Sequence, residues 1–423
     1  MSRPDGFRKM ILGLATAVAA AAAPLSGQEG RGAPATPPTS DYWVYVGAES
    51  ADVLHRVRFG PEGTVVEKTF AVGEYAAEIE GPHGLIVSPD ARYLYMTTGH
   101  GTPDGRLWKY ELGPDTLVAP GILLGMFPAS LDITPDGLYT FSSNFNLHGD
   151  MVPSSISVVY TPSMMEVERI VTCTMPHGGR IDGSGAFHYS ACMMDDQLVE
   201  IDTRTFQVSR RFSVAVGKEG PLPLQAGSVA MDHGAHAHMG HGAAPAASSP
   251  ANAPPPDPAE VGYGEAGRHV MEPNSCSPTW AHPSPDGTAV YVACNKADVI
   301  LEVDREEWRV TRRYTTGRGP YNVDVTPDGR LLVATLKQGG MFEVFDRASG
   351  ESLAVFRNST TVAHGIALSP DSRYAFVSSE GVGAEPGRVD VYDLQALAHV
   401  GTAELAQQTG GIAFWKMEPT GTH

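Results

Sequence analysis

Three histidines occupy the same position of a repeated segment: His83 in Pro82-His83-Gly84, His177 in Pro176-His177-Gly178 and His364 in Ala363-His364-Gly365. A neutral imidazole presents one lone pair, so three converging on a point make an open metal site of the catalytic or transport type. The plainer use is local, because His-Gly also suits a tight loop with the ring bonded to nearby backbone. A second concentration of donors lies in Met231-Asp232-His233-Gly234-Ala235-His236-Ala237-His238-Met239-Gly240-His241. Imidazole and thioether together form a soft set that favours copper, with zinc or nickel as alternatives. The surrounding interval, 216–272, is rich in Pro, Ala and Ser and lacks apolar periodicity. Such a stretch buries too little surface to offset its ordering entropy, which predicts a mobile insertion. It either handles metal or is a spacer whose histidines bind ions adventitiously. Its Gly262-x-Gly264-x-x-Gly267 run follows a Pro-rich linker rather than a strand, which argues against a dinucleotide loop.

What must position the histidines is the repeat itself. Counting from His83, the same slot holds Ala129, His177, Thr279, Tyr321, His364 and Gly410, at spacings of 46, 48, 102, 42, 43 and 46 residues. Five copies run into a Ser/Thr-Pro-Asp turn: Ser88-Pro89-Asp90, Thr134-Pro135-Asp136, Ser284-Pro285-Asp286, Thr326-Pro327-Asp328 and Ser369-Pro370-Asp371. The third has Asp182-Gly183-Ser184-Gly185 instead. Short alternating strands and tight turns with a period in the forties indicate an all-β chain of propeller blades. The long interval carries the insertion.

The seventh copy stops after one strand, at Ile412-Ala413-Phe414. The N-terminus supplies the remainder, since Val44-Tyr45-Val46 and Ala51-Asp52-Val53 match Val290-Tyr291-Val292 and Ala297-Asp298-Val299 in register. Pairing the two ends removes an exposed sheet edge. The prediction is a seven-bladed β-propeller over 41–418, its last blade made of N-terminal strands plus a C-terminal inner strand.

In such a ring the entries to the inner strands and the hairpins after the second strands share one face, around the channel. His83, His177 and His364 then fall on blades one, three and six, close to a triangle. The hairpins add His100, His148, Met193, Met194, Asp195, Asp196, Asn295, Lys296, Lys337 and Glu380, and Arg180 is placed along the channel. Asp195-Asp196 reads as a cation ligand, an acid/base pair or a solvated acidic tip. Met193-Met194, beside Cys192, is a soft cluster suited to a metal or to packing under the insertion.

Cys173 and Cys276 precede the slot by four and three residues, and Cys192 and Cys294 each follow it by fifteen. Each pair should meet at one rim, so Cys173–Cys192 and Cys276–Cys294 disulfides are expected in an exported chain. Cross-blade Cys192–Cys294 pairing and thiolate metal ligation stay open. Arg3, Arg8 and Lys9, the apolar run 11–23 and Pro24-Leu25-Ser26-Gly27 read as a signal peptide over 1–27, too short for a transmembrane anchor. Residues 28–40 read as a tether, and the location as periplasmic or secreted. Lys plus Arg number 30 against 48 Asp plus Glu, and a net charge of −18 argues against nucleic-acid partners. There is no Cys-x-x-Cys-His for covalent c-type haem, and no His-Glu-x-x-His, Gly-x-Ser-x-Gly or Walker loop.

The runs Gly287-Thr288-Ala289-Val290-Tyr291-Val292-Ala293 and Ala297-Asp298-Val299-Ile300-Leu301-Glu302-Val303-Asp304 resemble the YVTN-repeat β-propellers. These are exported bacterial proteins with lactonase-like and surface-layer relatives. The resemblance covers residues 42–416 outside the insertion and implies fold rather than one activity. More distantly the chain is similar to the propeller halves of haem d1 nitrite reductase and of nitrous oxide reductase, which carries copper on channel histidines. It has fewer such histidines and no following cupredoxin domain, so that activity does not transfer. The leading expectation is a ligand bound at the channel mouth, a transition metal with copper first. The His/Met loop would capture the ion, and His83, His177 and His364 would hold it. The alternatives are a metal-assisted hydrolase or lyase, a copper oxidoreductase, and a protein-interaction scaffold.

Overall fold

The computed structural model describes residues 34–74, 78–100, 104–147, 149–224 and 273–421. The expected signal peptide, tether residues 28–33, His148 and the Met231–His241 ligand run lie outside the described residues. Seven antiparallel sheets form a closed ring. Each inner strand contacts the next, and the last, Thr409–Pro419, contacts the first, Pro82–Val87.

Closure follows the predicted route. Ser40–Ala48 pairs with Thr409–Pro419, with Val44 opposite Phe414 and Val46 opposite Ile412, and Val53–Gly60 and Gly63–Ala71 complete the blade. Blade three differs from the others. The first residues of the insertion form a short strand, Gly220–Leu222, that adds a fifth member to its outer edge.

The turns explain the repeat. In each Ser/Thr-Pro-Asp copy the hydroxyl donates to the Asp carboxylate, as from Thr326 to Asp328 at 2.6 Å, and that carboxylate accepts the backbone N–H two residues on, here that of Arg330. Gly137, Gly287 and Gly329 close their turns at φ of 73°, 72° and 73°, a region favouring glycine. In the divergent copy Asp182 takes the hydroxyl's place and accepts from Ser184 and Ala186.

Apolar residues alternate along the strands so that both sheet faces are buried between neighbouring blades. Seven clusters result, one at each blade interface, such as Tyr189, Leu198 and Phe212 against Val290, Val292 and Leu301. Arginines latch successive blades at the turns. Arg305 donates to Asp182 at 2.7 Å and to the Tyr189 hydroxyl, and Arg347 repeats this one blade on with Asp286 and Tyr291.

Cys173, at the end of blade two's outer strand, is bonded to Cys192 of blade three, and Cys276 to Cys294, leaving no free thiol for Cys192–Cys294 pairing or metal ligation. Such bonds belong to oxidising compartments. Among the described residues no helix is long and apolar enough to cross a membrane.

Candidate functional site

Two of the three slot histidines are hydrogen-bonded to the next blade. His83 Nδ1 lies 2.6 Å from the Ala129 carbonyl and His177 Nδ1 2.8 Å from that of Thr279, the residues in the same slot one blade on. The Gly410 carbonyl faces His364 from the equivalent place, short of full hydrogen-bond geometry. Anchoring to backbone and facing the channel are therefore not alternatives. A proton on Nδ1, assigned from these bonds, leaves the Nε2 lone pair pointing inward. Gly178 is required after His177, because a Cβ there would run into the Trp280 indole.

Two of the three histidines meet a carboxylate. His83 Nε2 is 3.8 Å from Glu49 Oε1, and the His83 and His364 rings are 5.4 Å apart. One donor atom from each of Glu49, His83 and His364 lies within 4.8 Å of the others. A lone pair facing a carboxylate at 3.8 Å is too distant for a hydrogen bond. It is near the about 3.4 Å that separates two ligands of one tetrahedral cation. These residues form a candidate metal-binding cluster of two imidazoles and one carboxylate.

The carboxylate is itself held in place. Glu49 Oε2 accepts from His100 Nε2 at 2.9 Å and from Gln408 Nε2 at 3.1 Å, and Ser50 bonds the other end of that Gln408 amide. This is the outer shell that orients a metal ligand. Burial alone would raise the Glu49 carboxyl, but His83, His100 and Lys337 outweigh it and hold it below its ordinary range. Burial, with Lys337 nearby, pushes His364 well below its usual value, so the ring stays neutral and able to ligate.

His177 goes elsewhere. Its Nε2 accepts the Tyr321 hydroxyl at 2.9 Å, and its ring packs against Phe145 and Trp280. Burial pushes His177 down to about 3 and Tyr321 up to about 12. Lys337 sits over the Tyr321 ring at 4.3 Å and bonds Glu380 at 3.0 Å, and Glu380 is 3.6 Å from His364 Nε2.

The other expected mouth residues have local partners. The Asp195 carboxylate accepts the Thr174 amide, and that of Asp196 accepts the amides of Ser275, Cys276 and Ser277, fixing the return from the insertion. Met193 and Met194 pack on Phe127, Phe145 and Met175. Lys296 bonds Asn274, and Asn295 accepts from Gln338. Arg180 lies three residues further along its strand, stacked over Trp280 at 4.9 Å. There a void of about 20 Å³, room for one water, runs from His83 and His364 to Arg180 and Asn322.

Glu49 and Gln408 were missed from sequence, though a signal existed. The register that matches Val44-Tyr45-Val46 to Val290-Tyr291-Val292 places Glu49 opposite Asn295, a hairpin-tip position. Blade seven's own tip was not read out because its strands come from both chain ends.

Fold and site together define a seven-bladed propeller with a candidate metal cluster at its channel mouth. No protein-family model matches the chain, nor does any curated relative. Among solved structures it is similar to the Pseudomonas aeruginosa periplasmic gluconolactonase PpgL, at 16% identity over 89% of this chain and 99% of that one, with a TM-score of 0.61. It is similar to Kuenenia stuttgartiensis hydrazine synthase at 15% identity, over 81% and 90%, with a TM-score of 0.53. The dihydro-heme d1 dehydrogenase NirN in complex with DHE gives 15%, 88% and 74%, and 0.53. At such identities the likeness is one of fold.

Proposed function

We propose that this is an exported propeller that binds one divalent transition metal at Glu49, His83 and His364. The observation carrying the reading is that one donor atom of each lies within 4.8 Å of the other two. The basic and apolar N-terminal run, the two disulfides and the periplasmic location of a similarly folded gluconolactonase support export. The blade sequences support a place among YVTN-repeat proteins. Two imidazoles and a carboxylate accept Cu(II) or Zn(II), and the Met231–His241 run, with its soft donors, favours delivery of copper.

The test is elemental analysis and metal titration of full-length protein purified without an affinity tag. Three forms are compared: wild type, a His233→Ala/His236→Ala/His238→Ala/His241→Ala variant, and a Glu49→Ala/His83→Ala/His364→Ala variant. One ion should persist in the loop variant and be lost from the channel variant. Unchanged stoichiometry and affinity in the channel variant would reject the site.

A second reading, metal-assisted hydrolysis, is favoured by three protein ligands with room for a fourth, the pattern of catalytic zinc. PpgL, similar in fold, is a gluconolactonase. Lactone turnover that a chelator abolishes would support it.

A further inference from the structure

The charges around the metal cluster are unevenly placed. With His83 and His364 neutral, as metal ligation requires, the mouth holds the carboxylates of Glu49 and Glu380 and one ammonium, Lys337, so a divalent ion would leave an excess of at least one positive charge. That excess falls on the side of Lys337. Its ammonium can be no farther than 6.6 Å from His364 Nε2, the Lys337–Glu380 and Glu380–His364 distances of 3.0 and 3.6 Å laid end to end. An ammonium has three donors. Glu380 takes one and the Tyr321 side chain lies under another, and the Lys337 side chain is 31% exposed.

We infer that the channel mouth takes a small carboxylate as exogenous ligand, one oxygen on the metal and the other on the Lys337 ammonium. The inference rests on the metal reading above. The limit of 6.6 Å permits this: with a metal–oxygen bond of about 2.1 Å and an ammonium contact of about 2.8 Å, a carboxylate bridges about 5–6 Å. Lys337 is suited to the role by its position. The neighbouring hairpin lysine, Lys296, is bonded to Asn274. Glu380 fixes the Lys337 side chain and keeps its charge beside the cluster without joining the three ligands. The Tyr321 ring forms one wall, packed against His364 at 4.8 Å between centroids. The preferred ligand is therefore a monocarboxylate or hydroxy acid small enough to enter between Tyr321 and the Glu49 hairpin.

The experiment uses full-length protein carrying the four loop substitutions above, loaded with cobalt(II), whose absorption reports its ligands. Acetate and oxalate are titrated into it and into Lys337→Gln and Lys337→Arg variants. Acetate should shift the cobalt bands in a saturable way. Lys337→Gln should weaken acetate by about tenfold or more while binding cobalt as tightly or more tightly, since a nearby positive charge has been removed. Lys337→Arg should restore most of the acetate affinity. A merely structural lysine would weaken metal and anion together. A bound cobalt ion indifferent to acetate and oxalate, or an acetate affinity unchanged in Lys337→Gln, overturns this inference and leaves the metal reading standing. Failure to bind a stoichiometric ion overturns both.

Discussion

On the side of the mouth formed by blades three to five, His177 is anchored to Thr279 and capped by the Tyr321 hydroxyl, while Asp195 and Asp196 are spent on backbone amides. On the side formed by blades six, seven and one, His83 Nε2 faces Glu49 across 3.8 Å, too far to bond it directly, and a donor atom of His364 lies within 4.8 Å of both. Both halves use the same slots, with His83 and His177 anchored to the same carbonyl one blade on and His364 only approached by it. What differs is the hairpin tip across from each ring. A repeat supplies positions, and one side chain from a neighbouring repeat decides whether a position is structural or ligating. The first of these halves also carries both disulfides, Cys173–Cys192 tying blade three to the outer strand of blade two and Cys276–Cys294 bracing the entry to blade four.

The strongest way to break this comparison is to remove one group from each half. Glu49→Ala should weaken metal binding by about a hundredfold or more, because it deletes a ligand together with the carboxylate that His100 and Gln408 hold in place. His177→Ala should change metal affinity by less than about threefold, since its Nε2 is already occupied. Competition against a chromophoric chelator reads both. Equal losses would mean that the whole ring, not one half, holds the ion.

Stability should respond in the opposite sense. Cys276→Ser/Cys294→Ser opens a link across 18 residues and should cost about 3 kcal/mol in denaturant unfolding. Metal affinity, measured on the folded protein, should stay near the wild-type value.

The pH dependence of stability tests blades three and seven separately. Burial pushes His188, in blade three, down to about 3 and His55, in blade seven, down to about 4. Unfolded, both titrate near about 6.5. Between the folded and unfolded values the unfolded chain binds more protons, so stability is complete above the unfolded value and falls as pH drops through that window. Each histidine should contribute about 1.4 kcal/mol per pH unit there, and His55→Gln or His188→Gln should each flatten the slope by that amount. Equilibrium unfolding of the three forms from pH 7 to pH 4 checks it. A slope unchanged by both substitutions would mean that neither ring is buried neutral.

The repeat made the architecture readable. Ser/Thr-Pro-Asp turns at a regular period specify hairpins by local chemistry, and local chemistry is carried by adjacent residues. The disulfides were readable for a related reason: Cys192 and Cys294 stand at the paired end of a hairpin whose register the repeat already sets. His83 and His364 were readable as slot residues. Their partner was not, because Glu49 stands 34 residues from His83 and 315 from His364, outside any local pattern.

The chain's own order of residues determined seven blades, their turns and the closing of the ring by its two ends, while the structure chose among the cysteine pairings that the spacing left open. Only the tertiary structure decided which imidazoles share a ligand point. A strand fixes where a side chain starts. Which atom its tip meets depends on blades that reach the channel from distant parts of the chain. Tyr321 closes over His177, Glu49 turns toward His83, and Lys337 comes to rest beside His364 once the ring is complete.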